Sequence, residues 1–124
     1  MSTILLSVKP EYADRIFRGI KLYEYRKCLP QKQINKIIIY ATFPTMKIIG
    51  EVNVIGILSG SRTAIWEKTK KNAGISRVKY REYFKGCKIA YAHQLENAIT
   101  YDVPKTLEDL GIAFPPQSFI YIGE

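Results

Sequence analysis

The run Lys36-Ile37-Ile38-Ile39-Tyr40-Ala41 constrains the fold more than any other stretch of this chain. Its β-branched, unbroken apolar character predicts a strand, and successive side chains of a strand project to opposite faces. Both faces must therefore be covered by other parts of the chain. The polar connection Gln31 to Asn35 precedes the run, and the turn Thr42-Phe43-Pro44-Thr45-Met46 follows it. With 124 residues the chain can enclose such a strand without disulfides or metal. Residues 1–124 carry no linker, repeat or low-complexity segment and read as a single domain.

The remaining elements follow from punctuation and periodicity. Thr3 to Val8 is a short buried strand that stops at Lys9-Pro10, where proline is suited to open a helix. Ala13, Ile16 and Phe17 supply the helix's apolar stripe, and Gly19 is its stop. The chain then enters Gly19-Ile20-Lys21-Leu22-Tyr23-Glu24-Tyr25-Arg26, a strand reaching about Cys28. Strict alternation puts Lys21, Tyr23 and Tyr25 on one face and Leu22, Glu24 and Arg26 on the other. The charged face is either a buried ion pair, which must overcome desolvation with further hydrogen bonds, or the wall of a cleft. Lys47 to Leu58 is a long β segment with Gly50 and Gly56 as bulge or close-approach points. Ala64 to Lys71, capped by Ser61 or Thr63, and Ser76 to Phe84 read as helices. Cys87 to Leu95 is a strand, Val103-Pro104 with Leu107 to Leu110 a last helical turn, and Phe119 to Ile122 a terminal strand. The expected class is α+β: a small, closed or nearly closed mixed β-barrel of about five to seven strands, with two to four short helices plugging its openings.

The formal charge of +8 implies attraction to polyanions. The basic residues fall in two blocks, Lys9 to Lys36 and Lys68 to Lys88, whereas from Gln94 onward Lys105 stands against Glu96, Asp102, Glu108, Asp109 and Glu124. No apolar run approaches the ~20 residues of a membrane span, and the N-terminus lacks the features of a signal peptide. Cys28 and Cys87 are expected to be reduced, in a cytoplasmic protein. The single histidine, His93, has no nucleophile signature near it, and no phosphate-binding glycine loop is present. Metal binding by Glu24, Glu51 and His93 is geometrically possible but specifically supported by nothing in the sequence, and neither metal nor cofactor is expected.

Basic residues interleaved with aromatics carry the better signal: Tyr23, Tyr25, Arg26, Tyr40, Phe43, then Tyr80, Arg81, Tyr83 and Lys85. Cations neutralise phosphates and exposed rings stack unpaired bases, a combination suited to single-stranded RNA or an extruded base. Strands also bury tyrosines at this spacing, which leaves a structural role open. Ser7-Val8-Lys9-Pro10, Gly19-x-Lys21-x-x-Glu24-x-Arg26, Tyr40-Ala41-Thr42-x-Pro44, Gly50-Glu51 and Pro115-Pro116-Gln117-Ser118-Phe119 occur in that order. Together they resemble the ASCH domain family, whose members share the PUA-like β-barrel.

The resemblance implies a cleft beside the first helix and a role in binding RNA or modified nucleic acid. Lys9, Lys21, Glu24 and Arg26 would line that cleft, with Thr42 and Ser118 near its rim. Lys9, Lys21 and Arg26 would meet phosphate or a base edge. Glu24 would accept from an exocyclic amine or hold Arg26, and Tyr25, Tyr40 or Phe43 would stack. Some members are amidohydrolases that remove an acetyl group from cytidine with a lysine, a threonine and a glutamate. Here Lys21 is present, but Glu24 stands where the threonine would be, and a carboxylate is a poor substitute for a hydroxyl nucleophile. Other members are described as ribonucleases, in which reading Lys21 and Glu24 would serve as acid and base. A regulatory module whose basic face meets an acidic protein is the third reading. The sequence leaves the oligomeric state open.

Overall fold

A computed structural model describes residues 1–122, so Glu124 of the acidic C-terminal group lies outside the described residues. Six strands and three α-helices are built from them: β1 (Ser2–Val8), α1 (Pro10–Phe17), β2 (Tyr23–Arg26), β3 (Ile34–Ala41), β4 (Lys47–Gly60), α2 (Arg62–Thr69), α3 (Arg77–Tyr83), β5 (Ala90–Lys105) and β6 (Phe119–Tyr121). The strands form one curled sheet in the order β2-β5-β4-β3-β1-β6, an α+β half-barrel. Its β1–β3 pair is parallel and the remaining pairs are antiparallel. No helix of the described residues is long and apolar enough to cross a membrane.

β3 is covered on both faces, as its composition requires. Ile37, Ile39 and Ala41 join Ile4, Leu6, Val8, Val52 and Leu95 under α1, whose Ala13 and Ile16 complete that core. Ile38 and Tyr40 face the other way, where Leu5, Ile48, Leu107, Ile112 and Ile120 cover them. A third cluster lies under α2 and α3, where Tyr25, Ala90 and Ala92 of the sheet meet Ile65, Ala73, Tyr80 and Phe84. Ser61 and Ser76 start these two helices by accepting hydrogen bonds from the Ala64 and Lys79 N–H groups.

Curvature comes from β4 and β5, whose register shifts at Ile48/Gly50, Glu51/Asn53 and Val54/Gly56. Bulges of this kind bend a strand and increase its twist. Gly50 and Gly56 sit at two of the shifts, and at Gly50 a side chain would collide with the Ile99 carbonyl and the Phe17 ring. The expected helical turn at Val103-Pro104 is instead the far end of β5. Pro104 falls between the paired residues Thr100 and Lys105, where no ladder hydrogen bond is asked of it. Only Glu108–Leu110 is helical.

The two outer strands of the sheet, β2 and β6, approach each other without forming a ladder. The Arg26 guanidinium, on β2, donates to Ser118 Oγ just before β6. On the adjacent strand the Ser7 hydroxyl donates to the Pro116 carbonyl at 2.6 Å. At this seam β2 meets the segment before β6 through the Arg26 side chain, whereas β1 holds it by backbone as well, the Ser7 N–H donating to the Ser118 carbonyl at 3.0 Å.

Candidate functional site

A cleft of about 480 Å³ opens between α1, α3 and the end of the sheet that carries β2. Lys9, Lys21, Arg26 and Lys79 line it, together with Glu24 and Glu82 and the rings of Tyr12, Tyr25 and Tyr83. Each arrives there for a local reason. Lys9 is the residue before Pro10, held at the N-terminus of α1, and Tyr12 lies one turn further along that helix. α3 presents Lys79, Glu82 and Tyr83 on one side, the spacing of a single helical face.

Lys21 precedes β2, which begins only at Tyr23, and shares the cleft with Tyr25 as well as with Glu24 and Arg26. Its side chain is 4% exposed. The ammonium donates to the Ala73 carbonyl at 2.9 Å and lies 4.7 Å from the centre of the Tyr25 ring and 5.7 Å from that of Tyr12. These contacts offset part of the cost of burying a cation. Gly74 makes the passage possible. With a φ of +64° it adopts the left-handed conformation, and a Cβ there would lie 2.3 Å from the Lys21 Cβ.

Glu24 and Arg26 project together on β2, 14% and 22% exposed, with a guanidinium nitrogen 3.6 Å from the carboxylate. They are both cleft wall and ion pair, so the two alternatives raised by the sequence coincide. Burial pushes the Glu24 carboxyl up from its ordinary value, against the opposing pull of Lys21 and Arg26. Burial likewise pulls the Lys21 ammonium down, opposed by the charge of Glu24 and reinforced by Arg15. Across the strand, His93 pairs in register with Glu24 and is 1% exposed. Burial lowers its pKa, opposed by hydrogen bonding to the Glu24 backbone and reinforced by the charge of Arg26.

The other expected site residues scatter. Tyr25 lines the cleft but is 6% exposed, its hydroxyl donating to Thr69 Oγ1 at 2.7 Å and its ring packed edge-on against Tyr80 and Phe84. Burial raises its hydroxyl pKa. Tyr40 is a correction: it is 2% exposed in the core with Leu5 and Ile48, because β3 is covered on both faces, and has no ring face to offer a base. Phe43 is 80% exposed at a turn outside the cleft lining. Thr42 is outside the cleft lining, its N–H donating to the carbonyl of Val8, a lining residue, at 3.0 Å. Ser118 is not in the cleft lining; its hydroxyl accepts from Arg26 and its carbonyl from the N–H of Ser7, a lining residue, at 3.0 Å. Tyr12, Lys79 and Glu82 also line the cleft, and the sequence does not single them out because the cleft exists only where α1 and α3 approach each other. Glu51 is remote, engaged by Lys36 at 2.9 Å and by the Tyr101 hydroxyl at 2.9 Å. Among the described residues no three His, Cys, Asp or Glu side chains come together as a metal site, and Cys28 and Cys87 are both free.

Comparison with known proteins accords with this architecture. Residues 6–105 match the model of the ASCH domain. The chain is 32% identical over 125 residues to an ASCH domain-containing ribonuclease from Zymomonas mobilis, the match covering 95% of this chain and 82% of that protein. The crystal structure of ASCH from Zymomonas mobilis superposes with a TM-score of 0.90 at 30% identity, covering 99% of this chain and 89% of that one. The chain is also 30% identical to large ribosomal subunit protein uL22 of Ureaplasma parvum, over 97% of its own length but only 39% of that protein. A family match over residues 6–105, with a curled sheet that superposes on that of a family member, establishes that this chain belongs to the ASCH domain family.

Proposed function

We propose that the cleft binds single-stranded RNA or a modified nucleotide. The observation that carries this reading is the convergence of Lys9, Lys21, Arg26 and Lys79 with the half-buried rings of Tyr12 and Tyr83 around one open volume. Cations meet phosphate oxygens there, and rings take the faces of unpaired bases. Arg26 has the planar fork suited to a phosphate or a base edge, and Glu24 accepts from an exocyclic amine or holds Arg26 in place. The test is binding of a labelled single-stranded oligoribonucleotide as a function of salt. Affinity should fall steeply with salt, and Lys9→Gln with Lys79→Gln should lower the slope of log K against log salt by about 1.4, the value of two phosphate contacts on a single strand. An unchanged slope would remove the cleft from consideration.

Cleavage of the bound phosphodiester is the second reading, favoured by the opposed displacements of Lys21 and Glu24. A lysine that gives up its proton more readily and a carboxyl that retains it longer are displaced in the directions that suit a base and an acid. The similar Zymomonas mobilis protein is named a ribonuclease. Deacetylation of a nucleoside is less well supported. Position 24 has no hydroxyl, and the Ser7 hydroxyl in the cleft lining is engaged by the Pro116 carbonyl. Cleavage of labelled RNA should be lost in Glu24→Gln while binding persists; equal cleavage by that variant would exclude this role for Glu24.

A further inference from the structure

α3 separates the cleft from a second, unrelated group of side chains. Arg77, Tyr80 and Arg81 occupy the helix face opposite Lys79, Glu82 and Tyr83, and with Arg62, Thr63 and Trp66 of α2 they enclose a pocket of about 280 Å³. Its floor is fixed. The Tyr80 hydroxyl donates to the Arg62 carbonyl at 2.8 Å, and the Tyr80 ring lies 4.8 Å from Trp66 and 4.9 Å from Phe84. The three guanidinium groups have no counter-ion within 4 Å among the described residues. Glu67, the carboxylate that feels Arg77, is held by Lys70 at 2.7 Å, and the Arg62 guanidinium makes one long contact, donating to the Phe84 carbonyl at 3.5 Å.

We propose that Arg62, Trp66, Arg77 and Arg81 form a second nucleotide site, which takes the phosphate and base of an RNA strand leaving the cleft across α3. The ligand source rests on the reading of the cleft as an RNA groove; the pocket's chemistry does not. Three unpaired guanidinium groups repel one another until an anion enters, and their planar forks match phosphate oxygens. The indole of Trp66 packs on Tyr80 but stays partly exposed, and a nucleotide supplies both a phosphate for the guanidinium groups and a flat surface for that exposed part. The distance suits a continuous strand, because the two pockets are divided by a single helix about 10 Å across.

Trp66 is the single tryptophan of the chain, so its fluorescence reports on this pocket. The experiment titrates oligouridylates of two to about ten nucleotides, the range of site sizes for such grooves, with uridine monophosphate and poly-glutamate as further arms. Short oligomers should bind in the cleft and leave the emission unchanged; longer ones should quench it and bind at least about fivefold tighter, the low end for one stacked base. The double variant Arg77→Gln/Arg81→Gln, exposed on a helix whose folding circular dichroism can verify, should lose the quench and the gain with length. Its salt slope for long oligomers should fall by about 1.4. No gain with length, or wild-type affinity and slope in the double variant, overturns the site. Quenching by uridine monophosphate without a gain from length overturns the continuous strand as the source, and equal quenching by poly-glutamate overturns nucleotide recognition. Long oligomers that quench Trp66 undiminished in Lys9→Gln/Lys79→Gln would retain this site and count against the cleft alone.

Discussion

Gly74→Ala should damage this protein more than any other glycine-to-alanine change at a left-handed position, and the reason is Lys21. Gly74 and Gly86 both have positive φ, +64° and +82°, so alanine at either meets the same backbone penalty of about 1 kcal/mol. At Gly86 nothing lies within 4 Å of the added methyl group. At Gly74 the methyl carbon would stand 2.3 Å from the Lys21 Cβ, 2.6 Å from its Cγ and 2.9 Å from its Cα. None of these is the free end of a side chain, so the segment entering β2 or the connection between α2 and α3 must move. Overpacking of that kind costs about 1–3 kcal/mol more, for a total of about 2–4 kcal/mol. With a urea slope of about 1.5 kcal/mol per molar, the midpoint should fall by about 1.3–2.7 M in Gly74→Ala and by about 0.7 M in Gly86→Ala. Adding Lys21→Ala should rescue Gly74→Ala only in part, because it removes the Cγ but keeps the nearest atom, the Cβ; Lys21→Gly should rescue more of the loss. Equal midpoints for the two glycine variants, or full rescue by Lys21→Ala, would refute the argument.

Three further outcomes are expected. Tyr25→Phe should cost about 1 kcal/mol in chemical denaturation, the net value of a buried hydrogen bond such as that to Thr69, while RNA binding holds; a large loss of binding at unchanged stability would make Tyr25 a recognition residue instead. Because burial raises the Glu24 pKa in the folded chain, its carboxyl costs stability progressively as pH climbs from the unfolded value through the folded one. Glu24→Gln should therefore gain on wild type in thermal melting at neutral pH relative to acid pH, and a difference independent of pH would show that the carboxyl is not perturbed. Arg26→Ala removes a charged hydrogen bond and leaves Glu24 without its guanidinium, a loss of about 2 kcal/mol, and should speed amide exchange in β1 and β6 before the remainder of the sheet; uniform acceleration would argue against a local seam.

Much of the fold could be read from local rules. The unbroken run of β3 demanded cover on both sides and receives it, and Gly50 and Gly56 fall at register shifts where backbone or side chain comes close. The start of β2 was less legible: the strand begins at Tyr23 and not before Lys21, whose surroundings include Gly74, 53 residues distant in sequence. Tyr40 misled for a related reason. Its place in a strand was clear, but the residues that cover it, Leu107 to Ile120, come from a segment without periodic pattern. Tyr12 and Lys79 entered the cleft because α1 and α3 approach each other, and no spacing within either helix announces that encounter.

Arg26 has two attachments, to Ser118 across the seam and to Glu24 in the cleft. A phosphate that draws its guanidinium away from Ser118 must weaken the hold on residues 116–121, and anything that tightens that hold must make Arg26 harder to recruit. The two equilibria are thermodynamically coupled, and the coupling is reciprocal by necessity. If the cleft binds as proposed, a variant in which Ser118 holds Arg26 more firmly would be a weaker binder without any change in the cleft lining.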